Sequence, residues 1–145
     1  MTGTSCVFCA IIRGELNGSF VYRDDSYIIL MDKYPVNTGH TLLIPKKHYH
    51  TLLEMPGEEV ARLYSKLPSL AKAVVSAVGA DGFNVGQNNG LAANQIIPHV
   101  HVHVIPRFAD DSPNGRWPIR RVATSEELEK TAEKIRSFLK PALLP

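Results

Sequence analysis

The sequence has no long apolar run, no run of basic residues and only two cysteines, and each shortage removes a class of function. Its longest apolar windows fall far short of the roughly 20 residues that span a membrane, and its start lacks the pattern of a secretory leader. A soluble, cytoplasmic protein with no membrane partner is expected. A formal net charge of +2 over 145 residues, without a basic run, offers no groove for nucleic acid. A chain of this length buries something like two-thirds of its unfolded surface, so neither a disulfide nor a metal is needed merely to rescue a small core. No internal repeat, linker or low-complexity tract interrupts it, and one domain over residues 1–145 is expected.

What the chain does have is histidine in one place. Three of its six histidines fall in His99-Val100-His101-Val102-His103-Val104-Ile105. The residues between and after them are β-branched and stiff, which suits a pleated strand better than a helical turn. On a strand the imidazoles point one way and the valines the other, with successive imidazoles about 6.6 Å apart at the backbone. A helix would bring only His99 and His103 together. Three imidazoles lining one cleft are therefore expected.

The rest of the chain reads as follows. Both cysteines lie in Cys6-Val7-Phe8-Cys9. Thiol redox chemistry wants such a pair after a strand in a βαβ unit, which is lacking here, so half of a zinc site is the preferred reading. Tetrahedral closure takes two more ligands, and His48, His50 and His99 are the candidates. Phe20 to Arg23 and Tyr27 to Asp32 suggest a hairpin around Asp24-Asp25-Ser26, and His40 to Ile44 a further strand beyond a Pro-, Asn- and Gly-containing loop. Asp32, at a strand end, can accept two hydroxyl hydrogen bonds of the kind a ribose offers. Helical spacing runs from Glu58 to Val78, and Pro68 inside it predicts one long helix kinked near Leu67. Phe83 to Gln87 reads as a short strand, followed by Asn88-Asn89-Gly90 as a turn. Residues 110–115 read as a surface loop over which Trp117 packs. Thr124 and Glu127 form a capping box for a final helix with Leu128, Ala132, Ile135, Phe138 and Leu139 on one face. Pro141 and the residues after it are expected to be mobile or docked on a partner. Arg107, Arg116, Arg120 and Arg121 follow the histidines and favour an anionic ligand nearby.

Two chemistries compete for the histidines. A catalytic metal held by two of them wants a third ligand, yet the next acid after His103 is Asp110, in the loop, and the next glutamate is Glu126. The alternative is nucleophilic: a neutral imidazole attacks phosphorus, and the phosphorus–nitrogen bond it forms is then broken by water or another acceptor. Neighbouring imidazoles and neutral amide donors such as Asn88 and Gln95 would stabilise the charge on the phosphoryl oxygens.

The stretch from His99 to Ile105 resembles, without a gap, the His-φ-His-φ-His-φ-φ motif (φ hydrophobic) of the histidine triad (HIT) family of nucleotide hydrolases and transferases. Cys6-x-x-Cys9, Val21-Tyr22-x-Asp24-Asp25, Asp32, Gly39-His40-Thr41-Leu42, Ile44-Pro45-Lys46-x-His48 and Asn88-Asn89-Gly90 are similar to prokaryotic HIT and HINT-like proteins in order and spacing. The likeness covers roughly residues 5–108, with a loop and helix over 109–145 beyond it.

The resemblance implies an α+β fold with an antiparallel sheet, a long helix and a C-terminal helix, usually as a homodimer that binds a purine nucleoside phosphate of the AMP or GMP kind. It implies that His101 is the nucleophile, with His103 and His40 completing the catalytic group. His103, Gln95 and Asn88 would hold the phosphate, Asp32 the ribose, and Val7, Phe8 and Ile11 part of the base pocket. It implies a structural zinc on Cys6, Cys9, His48 and His99, which selects His48 over His50, and no organic cofactor. The implied activity is hydrolysis or transfer of nucleoside monophosphate from phosphoramidates, dinucleoside polyphosphates or related adducts. One departure stands out: the family has Gly-Gln and a small polar residue before the triad, where this chain has Asn94-Gln95-Ile96. Asn tolerates positive φ better than most residues, but Ile96 cannot donate a hydroxyl. A zinc-stabilised nucleotide- or partner-binding protein with weak or vestigial catalysis is therefore the second reading.

Overall fold

In a computed structural model describing residues 5–139, the chain builds an α+β fold on one antiparallel sheet. A short helix α1 (Val7–Ile12) precedes the hairpin β1 (Phe20–Arg23) and β2 (Tyr27–Met31), then β3 (Thr41–Pro45). Helices α2 (Gly57–Tyr64) and α3 (Leu67–Val78) lead to β4 (Gly82–Gly86), and β5 (Val102–Arg107) precedes the final helix α4 (Ser125–Phe138). The strand order is β1-β2-β3-β5-β4, with every neighbouring pair antiparallel. No helix among the described residues is long and apolar enough to cross a membrane. Pro141 and its neighbours lie outside the described residues.

Strands β2 and β3 are buried at every position because both faces of the sheet are covered. On one face Ile29, Met31, Leu43, Val102 and Val104 pack with Leu70, Val74 and Ala77 of α3 and Leu128, Ala132 and Ile135 of α4. On the other, Ile28, Leu30, Leu42 and Ile44 pack with Cys6, Phe8, Cys9 and Ile11 at α1. Period-2 alternation sorts the side chains between these layers. It places Val100, Val102 and Val104 in the helix-side core and turns the imidazoles toward α1.

Three local expectations are modified. Pairing of β5 begins only at Val102, so His99 and His101 stand on the lead-in to the strand and His103 alone on its ladder. Alternation still holds, because the lead-in is anchored by Val100 N–H donating to Tyr49 O at 2.8 Å. The expected kinked helix is instead two helices parted at Ser65–Lys66. Both turn residues keep αR geometry, and Pro68 sits in the first turn of α3, where a missing N–H leaves no bond unmade. That helix ends at Val78, capped by Gly79 with φ +66°, and not at the Asp81-Gly82 turn signal two residues further on. The capping box of Thr124 and Glu127 is as expected.

Gly39 fixes the approach to β3. Its φ is +103°, and a Cβ there would lie 2.9 Å from Val78 Cγ1 and 3.2 Å from Pro106 Cγ, so the turn carries His40 in against the α3 end of the core. Gly39→Ala is expected to cost about 1–3 kcal/mol, read as a lower midpoint in urea or thermal unfolding; an unchanged midpoint would show that the turn relaxes freely.

Candidate functional site

The site is assembled from three places: the lead-in and start of β5, the β2–β3 connection with Asp32 and His40, and α1. Leu42 pairs across from His103, so His103 stands on the α1 side of the sheet, where Leu42 belongs to the layer around Phe8. The rings of His101 and His103 lie 5.0 Å apart, and Phe8 sets its edge against His101 at 5.0 Å and against His99 at 5.7 Å.

Backbone groups assign the protonated nitrogen of each ring. Val36 N–H donates to His40 Nδ1 at 3.0 Å, which leaves the His40 proton on Nε2. That N–H faces His103 Nδ1 at 2.9 Å and Asp32 Oδ2 at 3.3 Å. His103 Nδ1 is then an acceptor and its Nε2–H a donor. His101 Nδ1–H donates to His99 O at 2.7 Å, so its Nε2 keeps a free lone pair with no partner among the described residues. His99 Nε2–H donates to Pro45 O at 2.7 Å, aiming the Nδ1 lone pair at the cysteines.

Burial keeps these rings neutral. It pushes His103 down to about 4, helped by the His101 and Arg120 charges, and lowers His40 strongly for the same reason. His101 is also lowered by burial, opposed by the His99 carbonyl and by Asp32. A neutral imidazole with its lone pair outward is a nucleophile, and a neutral N–H beside it is a donor.

Cys6, Cys9, His48 and His99 form a second cluster that can hold a metal ion. Cys6 Sγ lies 3.3 Å from His99 Nδ1, Cys9 Sγ 3.3 Å from His48 Nδ1, and the two Nδ1 atoms are 3.1 Å apart. Tetrahedral ligation at zinc distances puts sulfur and nitrogen about 3.5 Å apart and two nitrogens about 3.3 Å apart, so the donor set fits such an ion. Both rings are shifted toward the neutral, ligating form by burial, His99 to about 4. Burial and Cys6 push the Cys9 thiol up to about 11, so a metal must displace protons to bind. Asp32, His40 and His103 also cluster, but His40 Nδ1 accepts from Val36 and its Nε2 therefore carries a proton, which disqualifies it as a ligand in the neutral form.

The domain model described as "HIT domain" matches residues 13–110. The chain belongs to the HIT family. It is 44% identical over 135 residues to the adenylylsulfatase HINT3 of Arabidopsis thaliana, covering 93% of this chain and 68% of that protein. It is 35% identical over 137 residues to the adenosine 5'-monophosphoramidase hnt1 of Schizosaccharomyces pombe, covering 94% and 99% of the two chains. Among solved structures it is similar to a Zn-bound histidine triad family protein from Mycobacterium smegmatis, with a TM-score of 0.83, 34% identity and 95% of each chain covered.

Set against the positions expected for a HIT protein, the residues divide. His40, His101 and His103 come together, as do the four metal-cluster residues. Phe8 and Ile11 are packed in the α1 layer, while Val7 is 45% exposed. Gln95 is 3% exposed and spent on its own loop: Oε1 accepts from Gly90 N–H at 2.6 Å, and Nε2 donates to His50 O at 2.6 Å and Ile97 O at 3.2 Å. No Gln95 hydrogen is left for a phosphate. Asn88 Nδ2 donates to Asn94 O at 3.3 Å, and Asn94 has the positive φ, 66°, that its side chain tolerates. Ile96 is 82% exposed.

Of the four arginines expected to attract an anion, only Arg120 reaches the histidine group. Arg107 is held by Asp111, Ser112 and Asn84 and lies over Trp117, and Arg121 pairs with Glu127. Arg120 Nη2 donates to Asp32 Oδ2 at 2.5 Å. No spacing or motif marks it, because it comes from an irregular segment 88 residues away.

The metal cluster makes a measurable claim. Cys9→Ser is expected to lose a divalent ion found at about one per chain in the parent, and chelation of the parent to lower its Tm by several degrees. Metal-free parent protein by elemental analysis would refute it.

Proposed function

We propose that the protein is a nucleotide hydrolase that cleaves purine nucleoside 5'-monophosphate from a leaving group through a covalent nucleotidyl-His101 intermediate. One observation carries this reading: the ordered series Val36 N–H, His40, His103 leaves one N–H donor beside His101 Nε2, whose lone pair is free. His101 Nε2 attacks the α-phosphorus, forming the phosphorus–nitrogen bond as the bond to the leaving group breaks and the leaving group departs with that bond's electron pair. The positive charge that develops on the ring is stabilised by the His99 carbonyl and, at longer range, by Asp32. His103 Nε2–H donates to the phosphoryl oxygens. Water then attacks phosphorus and gives up a proton to the solvent, the phosphorus–nitrogen bond breaks with its electron pair returning to His101 Nε2, and the monophosphate leaves.

The names of two relatives bear on the leaving group. One is an adenylylsulfatase and the other an adenosine monophosphoramidase, so sulfate and amine adducts are the first substrates to test, with dinucleoside polyphosphates beside them. Asp32 would meet the ribose hydroxyls, and Val7 with Phe8 and Ile11 one side of the base. Zinc is the ion we assign to Cys6, Cys9, His48 and His99, in a structural role: all four protein ligands close the coordination sphere, leaving no position for water. A homodimer is supported by β4, an edge strand whose Phe83 and Val85 are 48% and 42% exposed. The exposed Ile96, which has no hydroxyl to offer, favours a slower enzyme and keeps the binding-protein reading in play.

Incubation with adenosine 5'-phosphosulfate, adenosine phosphoramidate and diadenosine polyphosphates separates these readings, since AMP release from none of them leaves only the binding protein. His101→Asn is expected to lose at least about 10³-fold in kcat while still binding AMP, and full turnover in that variant would end the nucleophile assignment. Because burial lowers the imidazoles, with His103 at about 4, the acid limb of kcat/KM should lie below the 6.5 of an ordinary histidine. The rate should fall only in more acid solution, as His101 or His103 gains a proton. An acid limb centred near 6.5 would mean that the relay is ordinary, solvated histidine.

A further inference from the structure

Asp32 is 6% exposed, so little of its carboxylate is open to a ligand. Oδ1 accepts from Tyr34 N–H at 2.8 Å, and Oδ2 accepts from Arg120 Nη2 at 2.5 Å and faces His40 Nε2 at 3.3 Å. The single His40 N–H is given to His103 Nδ1 at 2.9 Å, so Tyr34 and Arg120 are the carboxylate's resident donors. A ribose presents two hydroxyl donors, and on a carboxylate this covered one resident donor has to leave before both can reach it. Tyr34 N–H and His40 are fixed within the β2–β3 connection. Arg120 comes from a separate irregular segment and its side chain is 45% exposed. It is the replaceable partner.

We infer that Arg120 is a specificity-determining latch: it occupies the carboxylate in the free protein and must be exchanged for the ribose hydroxyls when a nucleotide binds. The inference rests on the assignment of Asp32 to the ribose made above. The latch is held from two sides. Arg120 Nε donates to Tyr34 O at 2.6 Å, on the same loop as the carboxylate. Just beyond it, Ala123 N–H donates to Lys33 O at 3.1 Å, with Ala123 itself buried in the helix-side core. The segment is therefore pinned at Ala123, and release of the guanidinium needs only side-chain rotation. Burial raises the Asp32 carboxyl, and Arg120 with Tyr34 N–H pulls it back toward the ionised form, so the latch also keeps the acceptor charged until the diol arrives. The guanidinium side of the pair is open to solvent while the carboxylate is buried, so the arginine is the partner that incoming hydroxyls replace, and its loss is felt by ligands that use the carboxylate and not by ligands that lack the diol.

Calorimetric titration of AMP and of 2',3'-dideoxy-AMP, at pH 8 so that Asp32 is ionised, into the full chain and its Arg120→Ala form tests this. Arg120→Ala is expected to bind AMP about two- to fivefold more tightly than the parent, with KM lowered in step, and to bind the dideoxy nucleotide as the parent does. Weaker AMP binding by the variant would make Arg120 a ligand-holding residue and overturn the latch, as would an equal change for both nucleotides. Should Arg120→Ala fold poorly, Arg120→Gln removes the charge while keeping the side chain's length and is held to the same outcomes. If the parent binds AMP and the variants gain nothing, the latch alone is wrong; if the parent binds neither nucleotide, the nucleotide reading fails and the latch with it.

Discussion

A neutral imidazole has one donor nitrogen and one acceptor nitrogen, and the site depends on which is which. Val36 N–H, Pro45 O and His99 O, all backbone groups, decide the matter for His40, His99 and His101 in turn, and His40 then decides it for His103. Reverse the Val36 bond and His40 would offer His103 a lone pair instead of a proton, leaving His103 no donor to face a phosphate. Backbone groups suit this task because the sheet fixes them: Pro45 ends β3, and His99 leads into β5. Chemistry at the site is thus a consequence of main-chain position.

The same geometry ties the metal cluster to the nucleophile. His99 uses both ring nitrogens and its carbonyl: Nδ1 lies among the cysteines, Nε2 donates to Pro45, and the carbonyl orients His101. Phe8, between the cysteines on α1, packs its edge against both rings. An ion in the cluster would pin α1, which has only six residues and cannot hold itself as an isolated helix. The cluster can therefore be structural in kind while its removal loosens the residue that aims His101.

Much of this could be read along the chain, and the limits are physical. The Val/His alternation dictates which face each ring takes, and it survives even where β5 has not begun to pair, because burial of Val100 and Val102 enforces it. The strands, the capping box of α4 and the four metal-cluster residues follow from local pattern or from the family likeness. Pro68 was legible as a disruption but not in form, since a kink and a break differ only in how two turn residues settle. Gln95 shows a different limit: an amide that can reach a phosphate can equally satisfy its own loop, and composition does not separate the two. Arg120 was visible only as one of four basic residues. Its contact with Asp32 depends on the path of an irregular segment, for which no periodicity exists.

That contact also explains how a buried carboxylate can sit beside three imidazoles without charging them. Asp32 draws a proton toward His101, and a protonated nucleophile has no lone pair to use. Burial is the larger reason the rings stay neutral, and the Arg120 charge adds to it in lowering His40 and His103. The guanidinium reaches Asp32 from outside the catalytic group, so the balance holds without spending an imidazole on the ion pair. A protein of nearly neutral net charge has no long-range field to do this work. In the free protein burial and one cation in direct contact keep histidine neutral beside this carboxylate, and the chain supplies that cation from the segment just ahead of its last helix.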